Sequence, residues 1–493
     1  MPTSQSTVRT DKKSASLAKS MSSGIVWNAL NFLGSQGAGF AVFLILATRL
    51  DPFVFGIVAL ASIIADIIAI EGRTAGMDAI VQGNRYDRKT LNSAFAVMMG
   101  VAITFTVSLI LIAPMMADYY QSPLIKAFMP VFALILLPVP WLAVMDALIM
   151  KDLGFKVQTQ RNMAATILGG VTGIAVAFSP FSIWALVVQR VVALFTALVF
   201  QYAHTRWAPL FALEKADAIT FAKRYFPLWS IITLNLSIPR AATLVFGARY
   251  GTETVGLLRA AYRIEESARG PLVSPLQGLW FPLMAKVRGN KKEERHVYDS
   301  IVKTSAFLAL PAFTGLLIVA HDVVDVILPD AYSGVAPLIQ AVCLTSLLIP
   351  LNRFNSLALG SLDENRKSFF VTLTNVLSCI AALLTFPHVT PFWALLIMSA
   401  PSVLVGLISA HIVHMRVGQN PFLHYLGLSP AYLAAGIMGA VVWYLQREFS
   451  HIDPVLRLIV CVSAGGIVYA GWLFGLHPNW TQNRIAMLRG KSI

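Results

Sequence analysis

The chain has 493 residues, of which 57% are hydrophobic and 13% charged, and its formal net charge is +14. Soluble domains carry about 25% charged residues, so half that share over this length excludes an ordinary soluble enzyme and indicates a polytopic membrane protein. The apolar runs, such as 94–113 and 395–412, are continuous rather than alternating, which excludes barrel strands and predicts an all-α chain whose backbone is satisfied within each helix.

The first 23 residues hold Arg9, Lys12, Lys13 and Lys19 among serines and threonines. They read as a basic cytoplasmic tail, because the apolar stretch that follows is too long for a signal peptide. About fourteen helix-length apolar segments follow. The first six are expected at 24–48, 53–77, 91–114, 123–150, 159–179 and 181–204, forming an N-terminal lobe over 24–204. A cytoplasmic linker at 205–220 leads to a second six-helix lobe over 221–414, with spans at 221–247, 253–283, 299–320, 332–360, 367–388 and 391–414. Two extra spans, 428–446 and 455–476, make up the region 428–476, and residues 477–493 form a second cytoplasmic tail. Cys343, Cys379 and Cys461 each sit in an apolar run at spacings that suit neither a metal site nor a disulfide framework.

Loop charges orient these spans. Arg85, Arg88 and Lys89, then Lys151 and Lys156, then Arg206, Lys215, Lys223 and Arg224, then the dense run from Lys286 to Lys303, and finally Arg484, Arg489 and Lys491 all fall on one side. The opposite connections are poor in cations, and 321–334 carries Asp322, Asp325 and Asp330 without Lys or Arg. By the positive-inside rule both termini are cytoplasmic. Orientation and contact with anionic lipid account for the net positive charge, so nucleic acid is not needed to explain it.

A short internal repeat accompanies this pattern. Ala47-Thr48-Arg49-Leu50 with Gly56 recurs as Gly247-Ala248-Arg249-Tyr250 with Gly256, 200 residues later. Each copy joins a first span to a second. Repeats of this kind mark transporters, and two six-helix copies carry the same orientation.

Ionisable groups inside spans are costly and face a partner or a watery cavity. The second span carries Asp66, Glu71, Arg73 and Asp78, the fourth Asp146, the sixth Arg190, the seventh Arg240 and the tenth Arg353. The eighth is the most polar: Arg259, Arg263 and Glu266 share one helical face at i, i+4 and i+7, with Glu265 beside them and Arg269 near that face. These groups are expected to line the cleft between the lobes. Arginine forks suit phosphate, so Arg240, Arg259, Arg263, Arg269 and Arg353 are the candidate substrate-binding residues. The competing reading is that the eighth-span charges only pair with one another. Asp66, Glu71 and Asp78 are either salt-bridge partners or proton or sodium sites.

No phosphate-binding loop of the nucleotidase type and no metal-ligand cluster is found in the sequence. Neither ATP drive nor a cofactor is expected, and the short outer connections leave little material for a catalytic domain.

Two segments carry a family resemblance. One is Gly34-Ser35-Gln36-Gly37, then 46–52 with Phe55-Gly56, closing on Gly76 and 79–82; the other is Tyr262-Arg263-Ile264 with Pro271, Pro275 and Phe281-Pro282. Together they resemble the Wzx-type polysaccharide flippases of the multidrug/oligosaccharidyl-lipid/polysaccharide exporter superfamily. The resemblance implies twelve or fourteen helices in two lobes around a cationic central cavity. It also implies passage of an undecaprenyl-pyrophosphate-linked oligosaccharide across the bacterial inner membrane by alternating access, for exopolysaccharide or capsule synthesis. Membrane lipids, a polysaccharide polymerase and export machinery are the partners it implies. Glu265 and Glu266 depart from the plain pattern of an anion pathway. The alternatives are a multidrug exporter of the same superfamily and a membrane-bound polymerase or glycosyltransferase.

Overall fold

A computed structural model describes residues 32–488 apart from 153, 211–212, 363, 387 and 419. The basic tail at 1–23, the start of the first expected span, Arg489 and Lys491 lie outside the described residues. Regular structure among the described residues is helical and includes no strand, in keeping with the all-α class.

Eight of these helices are long and apolar enough to cross a membrane, or ten if each of two bent pairs counts as one span. The expected count of about fourteen is not reached by this measure, for local reasons. The first span is described only as the short apolar helix Gly34–Ala47. Phe155–Ala177 opens with Gln158, Gln160, Arg161 and Asn162, which dilute its hydropathy. The expected span 332–360 is two short helices, Val335–Ser346 and Ile349–Ser361, with Pro350 opening the second. The seventh and eighth spans merge into one 73-residue run, Lys215–Val287. A straight helix of that length would reach about 110 Å, against an apolar bilayer core of about 30 Å. Gly251 divides it, at φ 83° and ψ 171°, a conformation only glycine enters without strain.

Lipid has to cover what the protein leaves bare. Ser182–Thr205 is among the most apolar spans, yet only 17% of its most apolar stretch is buried. Leu111 and Met115 on Arg88–Tyr119 are 73% and 65% exposed. Apolar surface of this extent is stable only against hydrocarbon, and the chain is a multi-pass membrane protein.

Two compact units divide the chain: residues up to 49 with 61–233, and residues 50–60 with 234 onward. In the first, Ala75, Ala79 and Ile80 pack against Phe95, Met98, Leu142 and Ala143, with Phe221 and Tyr225 closing the cluster. Small residues permit this approach: a Cβ on Gly76 would sit 2.3 Å from Met98 Sδ. In the second, Lys291–Ile318 is the central helix, packed by Val335–Ser346, Ile349–Ser361 and Ser429–Glu448. Trp280, Tyr298, Phe313 and Phe354 fill its interior. Ser429–Glu448 and Pro454–Leu476 pack on each other and are tied to Ala320–Ile327 by Asp322, which accepts from Arg457 Nε at 3.1 Å and Gln446 Nε2 at 3.1 Å. Asp322 is therefore a buried ion-pair partner of Arg457 rather than an open loop charge.

The sequence repeat recurs in three dimensions. Arg49 lies over the ring of Phe178, 4.2 Å from its centroid, and Phe178 caps the C-terminus of Phe155–Ala177. Arg249 donates to the carbonyls of Leu383 at 2.5 Å and Leu384 at 3.3 Å, beside Phe386, which caps Asn365–Thr385. Each arginine thus seals the end of the corresponding helix of its own unit. The two repeat glycines meet within the second unit. A Cβ on Gly56 would lie 1.7 Å from Thr252 O, and one on Gly256 would lie 1.8 Å from Pro52 O. With an offset of 200 residues these are reciprocal contacts, as a local pseudo-two-fold requires.

Candidate functional site

Polar chemistry in this chain is concentrated on a few helices, and each cluster follows from how its helix is broken. Pro52–Gly83 is α-helical to Asp66, π-helical over Ile67–Gly72 and α-helical again from Arg73. Single-turn π segments mark functional or strained points in helices. Here the π segment contains Glu71 and is flanked by Asp66 and Arg73, so a local change of winding sets the direction of three charges. Asp66 accepts from Arg190 Nη1 at 2.8 Å and from Ser62 Oγ at 3.1 Å. Glu71 is fully buried and Asp78 half-buried.

Arg73 belongs to a four-helix network. Asp146, 4% exposed, accepts from Arg73 Nε at 2.6 Å, from Gln201 Nε2 at 2.5 Å and from Arg161 Nη1. Arg161 also donates to Asn162 Oδ1. Two arginines share one carboxylate, so the network carries a net positive charge while its hydrogen bonds offset the cost of burying it. Gln201 and the burial of Arg161 were not anticipated from sequence. A glutamine inside the apolar run 185–205 was the available signal, since a polar side chain in a span needs a partner.

In the second unit, Arg259, Arg263, Glu265, Glu266 and Arg269 lie on the 252–287 segment as helical spacing requires. Glu265 is 5% exposed and accepts from Arg269 Nε at 3.1 Å and from Ser346 Oγ at 2.9 Å. Arg269 is thus engaged within its own helix and, through Glu265, with Val335–Ser346. Arg263 has a looser pairing with Glu266, 3.9 Å away. Arg259 and Arg240 are half-buried. Arg353 lies on the helix Ile349–Ser361, and its side chain is outside what the structure describes. Within the second unit the structure brings Arg269 together with Glu265, and Arg263 with Glu266. Asp66 and Arg73 anchor separate clusters of the first unit.

Among the described residues no group of three or more His, Cys, Asp or Glu is placed to hold a metal, and the three cysteines are buried free thiols.

Comparison with known proteins agrees with these features. A family model described as "Polysaccharide biosynthesis protein" matches residues 45–337. The chain is 23% identical over 460 residues, 92% of each chain, to the succinoglycan biosynthesis transport protein ExoT of Rhizobium meliloti (strain 1021). It is 22% identical to the lipopolysaccharide biosynthesis protein WzxC of Escherichia coli (strain K12), over 68% of each chain. Its fold is similar to that of the lipid II flippase MurJ in an inward closed conformation, with a TM-score of 0.78 at 13% identity, covering 93% of this chain and 100% of that one. The chain therefore shares the fold of that flippase, one of its curated relatives is named as a transport protein, and the resemblance drawn from its motifs is borne out. On the match over 45–337, the chain belongs to the polysaccharide biosynthesis protein family.

Proposed function

We propose that this chain is a flippase that carries undecaprenyl-pyrophosphate-linked oligosaccharide repeat units across the bacterial inner membrane for exopolysaccharide or capsule synthesis, by alternating access. The observation that carries this reading is the near full-length relation to a protein named for succinoglycan transport, joined to a fold similar to that of a lipid II flippase. The physical need is plain. A pyrophosphate crossing bare hydrocarbon would meet a prohibitive desolvation cost, and arginines held within the membrane replace its water.

Arg259 and Arg263 are the leading headgroup contacts in this reading, with Arg240 and Arg353 as further ones. Arg269 is the weakest candidate because Glu265 already engages it. Glu71 and Asp78 are the acidic groups to test for a coupling ion, together with Asp66, whose pairing to Arg190 favours a structural role. Both termini are cytoplasmic in this reading, and a polymerase and export machinery take over the flipped product.

The test is the fate of lipid-linked oligosaccharide in a deletion strain, followed by radiolabelled extraction and an impermeant sugar-modifying reagent. Complete repeat units trapped in the inner leaflet with loss of surface polymer support the flippase. Incomplete units, or complete units already facing outward, overturn it in favour of an enzyme acting before or after flipping. Unchanged lipid and polymer pools with altered drug efflux overturn it in favour of a drug exporter.

A further inference from the structure

A histidine pair is buried in the second unit, at the end that carries the basic connection 286–303. His414, near the C-terminus of Pro391–Val417, is 0% exposed, and neither of its ring nitrogens has a hydrogen-bond partner among the described residues. His424, on the short helix Pro421–Leu426, is 1% exposed and sits edge-on to His414, with ring centroids 4.5 Å apart. Nδ1 of His424 lies 2.5 Å from Asp299 Oδ1. The groups that act on His414 come from every side. Asp299 and Arg295 project from Lys291–Ile318, His424 from the short helix, and His411 from its own helix. Tyr298 packs edge-on to His414 and Tyr425 stacks on it. Lys303 Nζ is 3.6 Å from Asp299. From Ile349–Ser361 comes Asn355, which is occupied by Tyr298 Oη at 2.7 Å.

A neutral imidazole leaves one N–H donor without an acceptor in this pocket, whereas an imidazolium leaves two and adds a charge. The carboxylate that acts on His414 among the described residues, Asp299, is already shared between His424 and Lys303. A few polar contacts from side chains fix the segment that closes the pocket. Asn420 Oδ1 accepts from Phe422 N at 2.9 Å, His424 reaches Asp299, and Trp480 Nε1 donates to Gly427 O at 3.1 Å.

We infer that His414, His424 and Asp299 form a proton-binding site whose occupancy is linked to docking of the 421–427 segment. A proton from water adds to a ring nitrogen of His414. The charged ring can then be stabilised only if 421–427 moves and admits water or frees Asp299. Among the described residues no group of three or more His, Cys, Asp or Glu is placed to hold a metal, and a proton is the ligand that a single unpartnered ring takes. The consequence for transport, that proton uptake resets one state of the carrier, rests on the flippase reading; the site itself does not.

The test uses the full chain in lipid nanodiscs. Amide hydrogen exchange over 421–427, corrected for intrinsic rates, is compared at about pH 8 and about pH 5, and a rise of about tenfold or more at the lower pH is expected. His414→Leu is expected to abolish the pH response and leave the segment protected at both values. Asp299→Asn, a second variant in case the first does not fold, is expected to raise exchange at both. Equal exchange at the two pH values in the unmodified protein, or a full response in His414→Leu, overturns the inference. Flipping of lipid-linked oligosaccharide is measured in parallel in vesicles: a pH response without any flipping supports the proton site and removes only the transport reading.

Discussion

Asp146 shows how much one residue can hold together. Its side chain is 5% exposed and its partner Arg161 8% exposed, so removing the carboxylate leaves a buried cation unpaired. Asp146→Ala is expected to destabilise the protein by about 3–5 kcal/mol, read by thermal denaturation of the purified protein. The triple change Asp146→Leu, Arg161→Met and Arg73→Met is expected to recover most of that loss, because it removes the carboxylate and both arginines that share it. If both proteins melt like the parent, the network holds nothing. Arg263 and Arg269 separate binding from structure in the same way. Arg269→Gln breaks the pair with Glu265 and is expected to cost stability more than transport. Arg263→Gln is expected to slow flipping by about tenfold or more with little change in melting, because a planar fork on phosphate has no neutral substitute. Sequence spacing was enough to identify Asp146, Arg263 and Arg269 as intramembrane charges. It did not reveal that Arg73, Asp146, Arg161 and Gln201 converge, because they come from four helices.

Helix geometry decides where those charges point. The crossing of Pro52–Gly83 with the 252–287 segment is so close that a single methyl group has no room at Gly56 or Gly256. Gly56→Ala and Gly256→Ala are each expected to cost about 1–3 kcal/mol through backbone displacement. The double variant should cost less than the sum, since both relieve the same contact; full additivity in a thermal melt would sink that account. At the start of Arg88–Tyr119, Asp87 accepts from Thr90 N at 3.2 Å and from its hydroxyl at 2.9 Å. These bonds, the backbone one first, hold the Asp87 carboxyl below the ordinary carboxylate range, with Arg85 adding to the effect. The sign follows. The capping contribution is present above the unfolded value of about 3.9 and is lost as pH falls through the depressed folded value. Hydrogen-exchange protection of residues 90–91 should fall in that acid range, and Asp87→Asn should remove the pH dependence. The cap was readable from Asp87-Arg88-Lys89-Thr90 by its residue types; the π segment at Ile67–Gly72 was not, because its composition resembles any apolar turn.

For the whole molecule, the energetics of anion export set an expectation of their own. With the cytoplasm negative, outward movement of an anion is favoured by about 2.3 kcal/mol per charge per 100 mV. Under the proposed function, an imposed inside-negative potential should therefore speed export of lipid-linked oligosaccharide in vesicles severalfold. Rates indifferent to potential would mean that the charged headgroup crosses fully compensated or that another step limits turnover. The repeat belongs to this scale too. Arg49 and Arg249 each seal the end of a helix in their own unit, so the short sequence repeat marks two positions with a similar local task.

From the sequence by itself come the membrane class, the all-helical fold, the family and the location of most charged residues within spans. Hydropathy and charge are sums over local segments, and the bilayer acts on each segment separately. Only the tertiary structure decided which charges neutralise one another, that Asp322 is buried against Arg457, that Gly56 and Gly256 touch, and that His414 and His424 share one pocket. Those facts depend on distances of a few ångströms between residues far apart in the chain, and no local pattern encodes such distances.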